Sequence, residues 1–415
     1  MKTTFILIVI LLLFGTLPVF AQQGPDMSFY ISEYNRSDAT IFDMLDILRM
    51  VKDEQLTGIG DFYQNAIRVY IQRLPNFSNN RFRLAIEEAA RLILQGLAAE
   101  KHTAAAPQIW FFIQYFDISQ PPNDGFLMYE ALVAMGKVGG KDYTQYIIDI
   151  LEGYNARPTT DIEVKGRVER VMAGIISALE DLCDPSGVKP VFFASIGWYD
   201  TEIKKLASVS LIRTMEALGD VISDVISEII LDHFNLPPVK IAAWEELLRA
   251  HVSNSAKSKV ATSAIEASYT FVATSRESQN TLRFMRMSAI DTIRVVGVED
   301  DRVYPFLERT YREAFDTPNT DFEVIVTVVR ALSGVKTEEA VDLLIEFLRG
   351  LHSRKRSGPW GVVERDIMAI VIPAIGSTGT QSRSAIQLLT VISTSSVYTN
   401  AEQNWARNAL AVLRK

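Results

Sequence analysis

Residues 321–351 read DFEVIVTVVRALSGVKTEEAVDLLIEFLRGL, and this stretch decides the fold because it is one complete helical hairpin. Phe322 to Leu332 is an apolar segment, Ser333-Gly334-Val335-Lys336 interrupts it, and Thr337 opens a second segment with Glu338 and Glu339 in its first turn. A threonine in front and carboxylates just inside suit the positive end of a helix. Val341, Leu344, Ile345, Leu348 and Leu351 follow at three-and-four spacing, so one face is apolar while Asp342, Glu346 and Arg349 occupy the other. The β-branched runs Val324 to Val329 and Ile370-Val371-Ile372 are compatible with strands, which would make an α/β protein. The helical reading prevails because equivalent segments carry Ala, Met, Leu and Glu, and β-branching is only mildly unfavourable in a buried helix. A hairpin of this kind cannot bury its apolar faces alone and needs copies on either side.

The copies are visible. Small residues expected to close each first helix fall at Gly58, Gly96, Gly136, Cys183, Gly219, Gly297, Gly334 and Gly376, with gaps of 38, 40, 47, 36, 78, 37 and 42 residues. The long gap is twice 39, with a degenerate break near Ser253 to Ser258. Glycine has a physical reason to stand there, since a left-handed residue ends a helix and glycine adopts it at least cost. Units of about forty residues with two helices each predict an all-α chain, an α-α superhelix of roughly nine to ten hairpins over residues 39–415.

Glu216-Ala217-Leu218-Gly219-Asp220, Arg330-Ala331-Leu332-Ser333-Gly334 and Pro373-Ala374-Ile375-Gly376 resemble the Ala-Leu-Gly turn of HEAT-type repeats, of the armadillo-like class and including their short bacterial kind. The likeness runs from Ala39 to Lys415 and implies a HEAT-like solenoid in a secreted bacterial protein. Solenoids offer an extended concave surface, lined by second helices, because each repeat adds area without a closed core.

Compartment is read from the start of the chain. Met1 to Ala21 has Lys2, an apolar run from Phe5 to Phe14, and Val19-Phe20-Ala21 as a cleavage signal. That is the pattern of a cleavable signal peptide, predicting a secreted or periplasmic protein cut after Ala21 with no stable membrane insertion afterwards. Residues 22–38 are polar, with Gly24-Pro25 and Asn35-Arg36-Ser37, and are expected to form a disordered leader. Cleavage removes one charged side chain, Lys2, leaving 41 basic against 50 acidic residues. Such a balance argues against a nucleic-acid partner, which needs a positive field. Cys183 is the one cysteine, so no intramolecular disulfide can form and stacked apolar faces must hold the chain together.

Chemistry is sparse. His102, His233, His251 and His352 are scattered, no phosphate-binding or dinucleotide glycine motif occurs, and no metal-ligand spacing is found, so neither a cofactor nor a metal is expected. Binding candidates are aromatic or basic. Trp110, Phe111 and Tyr115 belong to Trp110–Phe116, a segment aromatic on all sides and so richer than one buried stripe can use. Trp198 and Tyr199 form a second cluster with Phe192 and Phe193 in the least regular unit, and Arg354, Lys355 and Arg356 stand in an expected loop, Ser353 to Gly361. The chain is therefore expected to be an exported, non-catalytic scaffold that binds a protein partner through its extended concave surface. The alternatives are an envelope-polymer hydrolase using carboxylates of the concave face, or a structural assembly protein.

Overall fold

The computed structural model describes residues 27–77, 82–119, 123–316, 320–358 and 360–414. The expected signal peptide, Met1–Ala21, lies outside the described residues. The described residues are helical, with no strand among them. Two units can be distinguished, residues 27–147 with 159–182, and residues 148–158 with 183–414.

In unit 1 the helices are α1 (Met27–Asn35), α2 (Ile41–Asp53), α3 (Gly60–Arg73), α4 (Arg83–Ala99), α5 (Ala106–Tyr115), α6 (Phe126–Val138), the start of α7 (Thr144–Asn155), and α8 (Ile162–Leu182). First helices α2, α4, α6 and α8 pack each on the next, and second helices α3 and α5 form the companion layer. Unit 2 holds the end of α7 and then α9 (Pro185–Ile196), α10 (Thr201–Leu218), α11 (Ile222–Leu231), α12 (Pro237–Arg249), α13 (Asn254–Thr270), α14 (Arg276–Val296), α15 (Val303–Asp316), α16 (Phe322–Val335), α17 (Glu338–Ser357), α18 (Val362–Thr378), α19 (Arg383–Thr394) and α20 (Asn400–Leu413). There the even-numbered helices from α10 to α20 stack in sequence order, and the odd-numbered ones from α9 to α19 do the same. This is the packing of a helical repeat, each pair supplying the apolar contacts its neighbours lack.

The reference hairpin shows how local signals become structure. Asp321 accepts from the Val324 N–H and Thr337 from the Ala340 N–H, so both helices begin with a side-chain cap. Val341, Leu344, Ile345, Leu348 and Leu351 are all buried, each contributing about 1.5–3 kcal/mol of apolar burial.

Four of the expected helix-closing glycines do something else. Gly96, Gly136, Gly334 and Gly376 lie inside helices, and the left-handed residue ending α16 is Lys336, at φ +59°. A Cβ on Gly136 would stand 2.8 Å from the Ala178 Cα, one on Gly334 3.0 Å from the Arg294 carbonyl oxygen, and one on Gly376 2.9 Å from the Ala409 Cα. Each contact is between successive first helices, so glycine here permits close helix crossing. The left-handed role belongs to Gly58, Cys183, Gly219 and Gly297.

The disordered leader expected over residues 22–38 is corrected for the part described. Met27–Asn35 is helical, with Tyr34 fully buried against Phe62. Arg73 donates to the carbonyls of Asn35, Arg36 and Ala39, and Tyr30 donates to Glu54 at 2.6 Å. These partners lie 24 to 38 residues away, which outweighs the polar local composition. The basic loop expected over Ser353 to Gly361 is likewise corrected, because α17 runs on to Ser357 and its last turn carries the three cations, where the helix dipole favours them.

Candidate functional site

α5 starts with Pro107 in its first turn, where a missing N–H costs nothing. Ile109, Phe112 and Ile113 then face the core, which turns Phe111 and Tyr115, one helical turn apart, to the outside at 46% and 44% exposure. Their rings stack at 6.3 Å. Trp110 is half-buried and meets two rings from the next pair, Tyr143 at 5.6 Å and Tyr146 at 5.3 Å, with tilts of 32° and 34°. Tyr146 is 54% exposed. The result is a ring-covered ledge built from α5, the turn Lys141–Tyr143 and the first turn of α7. The indole N–H of Trp110 and the hydroxyls of Tyr115, Tyr143 and Tyr146 have no hydrogen-bond partner among the described residues. Below the ledge Tyr70 is buried, and burial pushes its hydroxyl pKa up. Its hydroxyl donates to the Ile86 carbonyl at 2.8 Å.

Trp198 and Tyr199, in unit 2, are placed differently. Tyr199 is buried, and the two rings lie 4.5 Å apart just after α9. The Trp198 indole donates to the Tyr154 carbonyl at 3.0 Å, and the Tyr199 hydroxyl to Asn155 Oδ1 at 2.8 Å. Asn155 in turn donates to the Pro190 carbonyl, so the cluster ties α7 to α9. Trp198 is half-buried and Tyr199 buried, so the polar tips of this candidate pair are spent within unit 2.

Of the basic run, two members are engaged internally. Arg354 pairs with Asp316 at 2.9 Å and covers the Phe315 ring, while Lys355 pairs with Glu402 at 2.7 Å and lies over Trp360. Glu402 is wholly buried and also accepts from the Thr399 N–H, closing a capping box on α20. Burial alone would raise the Glu402 pKa, but the bonds from Lys355 and Thr399 outweigh it and hold the carboxyl below its usual range. Arg356 is the exposed member. A phosphate-sized site of three free cations is thus not assembled.

Unit 2 also carries two shallow grooves. One, of about 530 Å³, lies between α11, α13 and the start of α15, lined by Asp224, Lys259, Glu299, Asp300, Asp301 and Arg302. Hydrogen bonds from Arg302 hold the Asp300 carboxyl below its ordinary pKa, which suits an ionised acceptor and not a proton donor. The other, of about 500 Å³, lies between α12 and α14 beside Ile241 and Phe284. No group of three or more His, Cys, Asp or Glu poised to hold a metal is found among the described residues. No described helix is long and apolar enough to cross a membrane.

No protein family, curated protein or solved structure compared with the chain matches it. Tyr143 and Tyr146 are not among the residues expected from the sequence, although a signal existed: they follow Trp110 by 33 and 36 residues, close to one repeat, and so occupy nearly equivalent places in the next pair.

Proposed function

We propose that this chain is an exported HEAT-like scaffold that binds a protein partner through the outward surface of its second helices and carries out no chemistry of its own. The observation that supports this best is the ledge on α5 and α7, where Phe111, Tyr115 and Tyr146 hold their rings in solvent beside polar groups without internal partners. Exposed Phe and Tyr beside a half-buried Trp, on a helix without charge, is the composition of an interface centre, where binding energy concentrates. The repeat favours the same reading, since stacked pairs extend a surface and do not enclose a reaction chamber. Export rests on Met1–Ala21 with its apolar run and small-residue cleavage signal. The test is affinity capture from the native host by the mature chain and by a Phe111→Ala, Tyr115→Ala, Tyr146→Ala triple variant. The reading predicts a protein captured by the first and lost from the second. Equal capture by both would remove the ledge from the function.

A further inference from the structure

Resting on that reading, we propose that the ledge of unit 1 takes an extended, proline-rich peptide segment of the partner. α5 contains no charged residue, although Phe111 and Tyr115 on it are exposed, so the centre of the ligand is uncharged and apolar. The unengaged polar groups are the Trp110 indole N–H and the hydroxyls of Tyr115, Tyr143 and Tyr146, and each of them can donate. A ligand that presents open acceptors together with flat apolar surface would engage all of them.

That pair of demands separates the kinds of peptide. A helical segment spends its carbonyls on its own N–H groups and leaves these donors unmatched. A strand needs a sheet edge to pair with, and the described residues contain no strand. A polyproline II segment has no internal hydrogen bonds, turns its carbonyls outward and carries rigid pyrrolidine faces, so it satisfies both demands at small entropic cost. Ring spacing agrees. Trp110 stands 5.6 and 5.3 Å from Tyr143 and Tyr146 with tilts near 33°. A slot for an inserted flat ring needs about 7 Å, two contacts of about 3.5 Å each. The ligand thus rides over the rings. Charged neighbours in the chain are Asp117 on one side and Lys141 with Asp142 on the other, two acids to one base in a protein of net charge −8, which favours a basic residue flanking the prolines.

The test is a fluorescence titration of the mature chain with labelled decaproline carrying one terminal arginine, with a counterpart in which alanine replaces every proline, and with cellohexaose as a polyhydroxylated probe of the same surface. The proposal expects the proline peptide to bind at least about tenfold more tightly than the alanine peptide. Trp110→Ala and Tyr146→Ala should each weaken it about tenfold or more, the second keeping the test valid if the first disturbs the fold. Phe284→Ala, at an exposed ring in unit 2, should change nothing. Equal binding of both peptides, wild-type affinity in Tyr146→Ala, or binding of cellohexaose in place of the peptide would each overturn it. If the triple variant loses its captured partner while no proline peptide binds, the peptide class falls and the scaffold reading stands.

Discussion

Trp198 and Tyr199 direct their polar atoms into unit 2, the indole to the Tyr154 carbonyl and the phenol to Asn155, with Tyr199 3% exposed. Trp110, Tyr143 and Tyr146 in unit 1 direct theirs to no described residue, and Tyr146 is 54% exposed. The side chains are the same and the local sequences equally aromatic. What separates them is whether the polar tip finds a partner, because a buried Tyr or Trp needs one and an exposed ring with a free tip is available to something else. The first cluster spends its polar tips inside the fold; the second leaves them open to solvent, as the proposed docking ledge requires.

The largest effect that could break this contrast is expected from Tyr199→Ala. Removing a buried ring should cost about 3–5 kcal/mol in denaturant unfolding, and a cost near that of an exposed site would erase the distinction. Next comes Glu402→Gln, which leaves Lys355 facing a neutral partner in a buried place, at a cost of about 3 kcal/mol. Because the folded-state pKa of Glu402 is depressed, its contribution is present above the unfolded value, about 4.3, and fades as pH falls through the folded one. Stability measured from about pH 7 downward should therefore lose, in the variant, the part of the acid slope that Glu402 supplies.

A smaller pair sharpens the argument inside the first-helix layer. Gly136→Ala should cost about 1–3 kcal/mol, since its Cβ meets the Ala178 backbone at 2.8 Å. Gly166→Ala, in α8 with nothing within 4 Å of the new methyl group, should raise stability by about 0.5–1 kcal/mol through helix propensity. Smallest of all, Tyr146→Ala should shift stability by no more than about 0.5 kcal/mol while removing partner binding. A larger loss of stability there would make Tyr146 another Tyr199.

The hairpins were legible because their signals are local: the apolar periodicity from Val341 to Leu351, and the cap at Thr337 followed by Glu338 and Glu339. What was not legible depends on partners one repeat away. Arg354 finds Asp316 across 38 residues and Lys355 finds Glu402 across 47, so the basic run looks free in sequence and is largely spent in the fold. Met27–Asn35 is similar, since its nine residues become a helix by burying Tyr30 and Tyr34. The glycines misled in a different way. A residue without Cβ serves a left-handed turn at Gly219 and a tight helix crossing at Gly376, and spacing alone does not tell these apart. At the ledge, the aromatic excess of Trp110–Phe116 was visible, whereas its extension onto Tyr143 and Tyr146 required the stacking of pairs.

The most direct test of the account is amide hydrogen exchange of the mature chain with and without its captured partner. The account predicts that slowing on binding concentrates at residues 106–115 and 141–147, with Trp198 and Tyr199 unchanged. Slowing centred on the outer faces of the first helices, with the ledge exchanging as before, would contradict it.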